Sequence, residues 1–354
     1  FLQAIACTLA AFQPATRLAL EEKGLIAPTV QMILRLSNKN VAKPEDYLTP
    51  QAHPTVLDAG QLDVEKMVRT AHAMNAAEIP GLAALTVKEE TIGRPGTDYF
   101  SPLPENLFDT PFAIARVARS LDSERRLVIS AEASRDPNGR PLTFHWVLLR
   151  GDSSTIRITP LNKAGTVAEI IIPHQTRRPI WPGSPLESSR VDIGVFTHNG
   201  VHYSAPSFVS IQYLENETRV YDGKRLLSVE YKSAERGGYY VDPFLEYAKD
   251  WKDEYLYDDQ GHRLGWMRTL PDGTHADYTA EGALIQSRDA QGRAKEARLV
   301  RYNLTPATEK TIPTLVPVPA AETITYDYTS DQDRTGKIRL TDRKSTRLNS
   351  SHTV

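Results

Sequence analysis

The sequence holds one cysteine, Cys7, among 354 residues. A single thiol excludes an internal disulfide framework and any cysteine-rich zinc site. No apolar run reaches the roughly 18 residues of a helical membrane span, so none is expected. An excess of one charge is missing too: 42 Lys and Arg stand against 44 Asp and Glu, a net charge of −2. Without a global basic field, composition gives no argument for a nucleic-acid partner. The common catalytic signatures are also absent: there is no Gly-x-Ser-x-Gly elbow, His-Glu-x-x-His helix, Walker loop or Gly-x-Gly-x-x-Gly turn. That excludes the motif-bearing hydrolases, zincins, nucleotidases and dehydrogenases. The sequence assigns no catalytic residue, no metal ligand and no cofactor.

What is present is an ordinary folding composition, 40% hydrophobic and 24% charged, in a chain long enough for two to three domains. Residues 1–90 read as a mostly helical segment. In FLQAIACTLAAF, Leu2, Ile5, Ala6 and Leu9 recur at helical spacing, which favours a helix continuing from upstream sequence over a secretory remnant. Pro14 can open a second helix that Gly24 ends in the left-handed conformation, and Pro28 opens a third, apolar nearly all round. Asp63 is the expected N-cap of a fourth, whose stripe is Val64, Met67, Val68, Ala71 and Met74, with His72 as a partly buried structural histidine beside it.

After Pro80 the pattern turns to strand-like alternation. Seven candidate strands fall between Leu107 and Leu214: FAIARVA, RLVISAEA, PLTFHWVLL, TIRIT, TVAEIIIP, RVDIGVFT and VHYSAPSFVSIQYL. In the third, Leu142, Phe144, Trp146 and Leu148 share one face and His145 takes the other. Seven short strands, turn signals and a central tryptophan predict an antiparallel, Ig-like two-sheet sandwich over 105–214. Within it, SRDPNGRPLTFHW (134–146) resembles the motif of polycystic-kidney-disease-type (PKD-like) domains through Asp136, Pro137, Gly139, Pro141, Leu142 and Trp146. The resemblance implies a sandwich used for adhesion or spacing. Asn138 and Arg140 stand where that family often carries acids, which argues against a calcium site at this turn.

Residues 215–303 form a different β region rich in Tyr, Asp and Gly. Tyr257 and Tyr278, and likewise Gly261 and Gly282, repeat at a spacing of 21, as a meander of hairpins would produce. The pairs Tyr221–Asp222 and Tyr257–Asp258 before glycine turns resemble the YD repeats of bacterial surface and toxin-shell proteins. The order of segments also resembles large uncharacterised proteins of environmental bacteria. Residues 304–341 read as a Pro-rich connector followed by a strand, TITYDYTS, left without partners. The tail DRKSTRLNSSH (342–352, trailed by Thr353 and Val354) resembles the in-frame translation of a sequencing adapter, so 342–354 is expected to carry no functional weight and the natural chain to continue elsewhere.

Several residues suggest chemistry. His198 and His202, in FTHNGVHY, are the candidate metal ligands, but a His-Asn-Gly turn with Gly200 left-handed sends them to opposite faces. Arg150-Gly151-Asp152-Ser153 spells a cell-adhesion tetrapeptide and is equally a turn between strands. In KDWKDEYLYDD, the carboxylates of Asp250, Asp253, Glu254, Asp258 and Asp259 alternate with Lys249, Lys252 and aromatics, reading as a solvated strand edge rather than a glycosidase pair. Trp251 and Trp266 with flanking Tyr255 and Tyr257 form the expected carbohydrate-stacking platform. Asn216 and Asn303 head glycosylation sequons, meaningful only in a eukaryotic secretory pathway. The expectation is an α+β multidomain, mainly β fragment of an exported bacterial protein that binds, adheres or spaces. Its partner would be a polysaccharide or another surface protein, and its setting extracytoplasmic, with a cytoplasmic one as the alternative. Two rivals stand beside it: an accessory part of an enzyme, such as a polysaccharide-active hydrolase with its catalytic domain upstream, or a site with His53, His72 or His145 as base.

Overall fold

The computed structural model describes residues 1–181, 183–231, 247–306 and 312–340; the tail read as adapter-derived lies outside the described residues. The fold is mainly β with a helical start, as composition and periodicity predict. The chain divides into two compact units, the first made of Phe1–Thr91, Asn106–Ala118 and Glu124–Tyr213, the second of Ile92–Glu105, Arg119–Ser123 and Leu214–Val354.

The first unit opens with helices α1 (Leu2–Ala11), α2 (Pro14–Glu22), α3 (Ile26–Leu36) and α4 (Val64–Ala73). Gly24 takes φ +66° after α2, and the Asp63 carboxylate accepts from the Lys66 N–H at 2.9 Å to cap α4. Helix α3 starts two residues before Pro28, which sits in the first turn where its missing N–H costs nothing. His72 is exposed rather than partly buried.

The strands that follow are β1 (Thr86–Glu90), β2 (Asn106–Thr110), β3 (Ala113–Ala118), β4 (Glu124–Ser130), β5 (Thr143–Arg150), β6 (Arg157–Pro160), β7 (Val167–Pro173), β8 (Arg178–Pro179), β9 (Glu187–Ser188), β10 (Arg190–His198) and β11 (Ser207–Tyr213). All seven sequence-read strands are among them. They form a sheet in the order β1-β4-β7-β6, a second in the order β2-β3-β11-β10-β5, and a small ribbon, β8-β9. One pairing departs from the antiparallel expectation: β3 and β11 run parallel, Ala113 opposite Phe208 through Ala118 opposite Tyr213. These strands are far apart in sequence, so no hairpin dictates their relative direction.

Between the two sheets lie Leu127, Ile129, Ile170, Ile172, Ile193 and Ile211, all buried, with Phe144, Trp146 and Leu148 packed on them. Trp146 is part-buried, its indole N–H donating to Gly165 O at 2.8 Å. The other face of the five-stranded sheet is covered as well. Leu149 and Phe196 join Leu20, Met32, Ile33, Tyr47 and Met67 in a second core, so the helical segment and sandwich share buried surface. Gly194 is required there: a Cβ would lie 2.7 Å from Leu149 Cδ1 and 2.8 Å from Phe196 Cε2. The turn at Asp136–Arg140 also serves this junction. Asp136 caps the N–H groups of Asn138 and Arg140 and accepts from Asn199. Asn138 and Arg140 in turn donate to Ala76 O and Ala77 O. Both Asp136 oxygens serve the fold, and Arg140 adds positive charge beside them.

The second unit carries one antiparallel meander in sequence order: β12 (Glu217–Asp222), β13 (Arg225–Tyr231), β14 (Lys252–Tyr257), β15 (Arg263–Thr269), β16 (His275–Thr279), β17 (Leu284–Arg288), β18 (Ala294–Leu304), β19 (Leu315–Asp327) and β20 (Lys337–Leu340). Four of its turns share one geometry. Gly261, Gly273, Gly282 and Gly292 all have positive φ, and each N–H bonds the carbonyl three residues back, at Asp258, Leu270, Thr279 and Asp289. TITYDYTS is not an orphan: Ile324 and Thr325 pair with Ala297 and Glu296 on β18, and with Leu340 and Arg339 on β20. The Pro-rich stretch before it is part of β19, with Pro317 and Pro319 opposite Tyr302 and Val300.

The centre of this unit is an ion pair inside aromatic rings. Arg268 and Asp253, opposite each other across β14 and β15, have fully buried side chains and bond at 2.7 and 2.8 Å. The guanidinium lies 4.1 Å from the Trp251 ring centre, 4.6 Å from Phe100 and 4.8 Å from Tyr278. Burial alone would lower the Arg268 pKa, and the facing carboxylate more than reverses this, so the cation stays charged. Removing one partner would strand the other in a low-dielectric core. Asp253→Ala is therefore expected to destabilise the second unit by about 3–5 kcal/mol. Asp258→Ala, which removes a turn carboxylate that accepts the Gln260 and His262 N–H groups and faces no buried cation, should cost less; urea unfolding of the two variants against the parent checks the contrast.

Candidate functional site

The expected carbohydrate platform is not presented to solvent. Trp251 and Tyr255 are each 6% exposed and Trp266 is fully buried. They pack with Phe100, Tyr278 and Tyr302 in the second unit's core. Tyr257 is part-buried, its hydroxyl donating to Leu226 O at 2.8 Å under the Arg225 guanidinium. Nor is KDWKDEYLYDD a solvated edge. Asp253 is buried against Arg268, and Lys249, 3% exposed, pairs with buried Glu217 at 3.2 Å. On this strand Trp251, Asp253 and Tyr255 share one face, and that face is the interior.

The remaining candidates are placed as follows. His198 packs tilted against Tyr203, ring centres 4.5 Å apart, and takes the Gly200 N–H on Nδ1; Gly200 is left-handed, with φ +89°. His145 meets the same Tyr203 edge-on. Burial lowers the pKa of His145, His198 and His202 alike. Among the described residues no group of three or more His, Cys, Asp or Glu is placed to hold a metal. The Asn216 amide is buried and donates to Tyr247 O. The Arg-Gly-Asp-Ser stretch is a structural turn: Arg150 Nε lies 3.4 Å from Asp192, and Asp152 bonds Arg178 at 2.8 Å. The Arg178 and Ser154 bonds hold the Asp152 carboxyl well below its usual range.

That turn borders a cleft of about 680 Å³ in the first unit, within the range typical of small-ligand sites. The segment after α3 supplies Asn40, Gln51, His53 and Thr55; the end of β5 and the β8-β9 ribbon supply Arg150, Arg178 and Trp181. Ribbon geometry presents the tryptophan. Arg178 and Pro179 pair with Ser188 and Glu187, Ile180 N–H reaches Leu186 O, and Ser184 N–H returns to Trp181 O. The indole is 40% exposed, whereas Trp251 and Trp266 are buried and Trp146 part-buried. Across the cleft, His53 Nε2 donates to Tyr47 O at 2.7 Å, which fixes the neutral tautomer and leaves Nδ1 as an acceptor. Its ring packs on Tyr47 and Phe196. Arg150 Nη2 donates to Thr55 Oγ1 and so ties the two walls together.

A smaller cavity of about 230 Å³ in the second unit is lined by Arg263, Arg288, Arg293, Asp277, Glu281 and Tyr326, among others. Its three named arginines are committed to Asp98, Asp277 and Asp289, and its volume falls below the usual range of small-ligand sites, which makes the first-unit cleft the better candidate. Sequence pattern does not single out Trp181, because the Asn40–Thr55 wall of its cleft lies more than a hundred residues upstream. The one local signal is a tryptophan in a Pro/Gly-rich loop, where it has no strand face to bury it.

No family model matches the chain, and no curated protein matches it. Among solved structures, a nucleoside hydrolase-related hypothetical protein from Saccharophagus degradans, described as associated with carbohydrate metabolism, is similar over 44% of this chain at 14% identity and a TM-score of 0.23. The match spans about a third (34%) of that protein's length. So distant a likeness carries no argument about fold or activity.

The state of His53 generates a pH prediction. Burial, offset in part by the bond to Tyr47 O and reinforced by nearby Arg35, lowers its pKa to about 4. An unfolded histidine titrates near 6.5, so between those values the unfolded chain holds more protons. The stability this neutral ring contributes is complete above about pH 6.5 and is lost as pH falls toward 4, by up to about 3 kcal/mol. His53→Gln should flatten that part of the stability–pH curve, measured by urea unfolding of the first unit from pH 7.5 to 4.

Proposed function

We propose that this chain is a binding protein built of β modules and that it holds a carbohydrate in the first-unit cleft. The observation that carries the reading is Trp181: a tryptophan 40% exposed, held by a hydrogen-bonded ribbon over a cleft lined with amide, hydroxyl and guanidinium groups. A sugar ring offers an apolar face to stack on an indole and a rim of hydroxyls to meet such groups. Among the described residues the cleft lining contains no Asp or Glu, so these residues offer no acid and base pair for cleaving a glycosidic bond. Binding rather than catalysis is the chemistry these residues support. The setting we propose is a longer, exported bacterial protein in which the modules adhere or space, as the PKD-like and YD-like resemblances imply. The same module would serve a polysaccharide-active hydrolase as its accessory part.

The test is capture of the full chain on an array of plant, algal and bacterial polysaccharides, followed by titration of the best ligand. Trp181→Ala should weaken binding about tenfold or more, equivalent to about 1.4 kcal/mol, with an unchanged melting temperature. Ligand should quench tryptophan fluorescence in the parent and not in Trp181→Phe. Silence across the array, or full affinity in Trp181→Ala, refutes the reading.

A further inference from the structure

The charge around the cleft is one-sided. Among the described residues its lining holds two guanidiniums, Arg150 and Arg178, and no carboxylate. The carboxylates that answer them lie outside the lining: Asp152 pairs with Arg178, and Asp192 is shared between Arg150 and Arg190. Arg35 stands behind His53. Its Nη1 donates to Pro54 O at 3.1 Å, its Nε finds no acceptor, and among the described residues no carboxylate pairs with it. Burial lowers its pKa, yet a guanidinium stays protonated in proteins, so an uncompensated cation lies under the cleft wall. With the Arg177–Glu187 pair of the ribbon counted, five guanidiniums meet three carboxylates around the cleft. The surplus is positive and faces a concave, partly desolvated volume, where field is screened less than at an open surface.

Resting on the carbohydrate reading, we propose that the cleft selects anionic sugars, those bearing a uronate carboxylate or a sulfate ester, over neutral ones. Trp181 takes the ring face, Arg178, with a 40% exposed side chain, takes the charged substituent, and His53 Nδ1 accepts a sugar hydroxyl. A planar guanidinium can offer two parallel N–H donors to a carboxylate or sulfate, which gives direction as well as charge.

The experiment is calorimetric titration of the full chain with three matched oligosaccharides: an oligogalacturonate, a sulfated galactan oligomer and a neutral galactan oligomer. At least one charged oligomer should bind roughly tenfold tighter than the neutral one, and that margin should shrink as salt rises from about 50 to about 300 mM. Which charged oligomer holds the margin identifies carboxylate or sulfate as the recognised group. Arg178→Gln should abolish the margin, with Arg178→Lys retaining part of it. Trp181→Ala should weaken all three. Equal affinity for charged and neutral sugars, or an unchanged margin in Arg178→Gln at an unchanged melting temperature, overturns the anionic preference and leaves sugar binding standing. Failure of every sugar overturns both, as does binding of acetate or sulfate alone as tightly as the oligomers.

Discussion

The first unit depends on one packing contact, that of Tyr47 against Phe196. The rings meet edge to face with centroids 5.4 Å apart, and the Tyr47 hydroxyl donates to Ser204 O at 2.9 Å. Both side chains are fully buried, so each covers apolar surface that the partner element would otherwise leave wet. The contact fixes the segment after α3 against β10, and His53, six residues on from Tyr47, packs on the same Phe196. The cleft exists because this segment lies along the end of β5 without filling the space before the β8-β9 ribbon. A sandwich with a free outer face would have a flat sheet there instead.

The second unit solves a different problem. Its meander has strands of unequal length joined by repeated glycine turns, a design in which register can slip. The buried pair of Arg268 and Asp253 constrains register, because a shift of one residue would carry both charges to the other face and bring apolar neighbours out. The aromatic rings around the guanidinium offset part of its desolvation. Phe100 comes from the chain excursion at 92–105, so the pair also draws that segment into the core. Glu105 anchors its far end by accepting the N–H groups of Arg119 and Ser120 at 2.8 Å.

Local pattern explains what is legible in the sequence. Helix spacing, the Asp63 cap and the seven strands follow from periods and caps that depend on near neighbours alone. The misreadings share one cause: a partner distant in sequence. TFHWVLLR reads as a strand with one buried face, although Val147 and Leu149 make its run apolar on both sides, the mark of a doubly covered strand. Asp253 looks solvated because a carboxylate on a strand face usually is, and only Arg268 on the next strand reverses that. Trp251 and Tyr255 read as surface residues because acids surround them. TITYDYTS reads as unpaired because its partners, β18 and β20, leave no mark in its own residues, and the prolines at 317 and 319 hide that its strand begins earlier, although a proline lacks one ladder donor without leaving the ladder.

The adhesion-like tetrapeptide shows how the same residues build the cleft instead. Gly151 has φ +124°, a conformation that L side chains rarely adopt, and a Cβ there would lie 2.7 Å from Ile156 Cδ1. The backbone turns at that point, and the flanking charges part: Arg150 toward Asp192 and Thr55, Asp152 toward Arg178. An adhesive loop needs its cation and carboxylate free together, and here each is already held. What the turn creates is a wall of fixed guanidiniums, with Trp181 anchored above by its own ribbon. Arg150 and Arg178 are each held by a carboxylate, so the guanidinium wall is already ordered. The bonds that silence the tetrapeptide as an adhesion signal are the ones that preorganise the cleft.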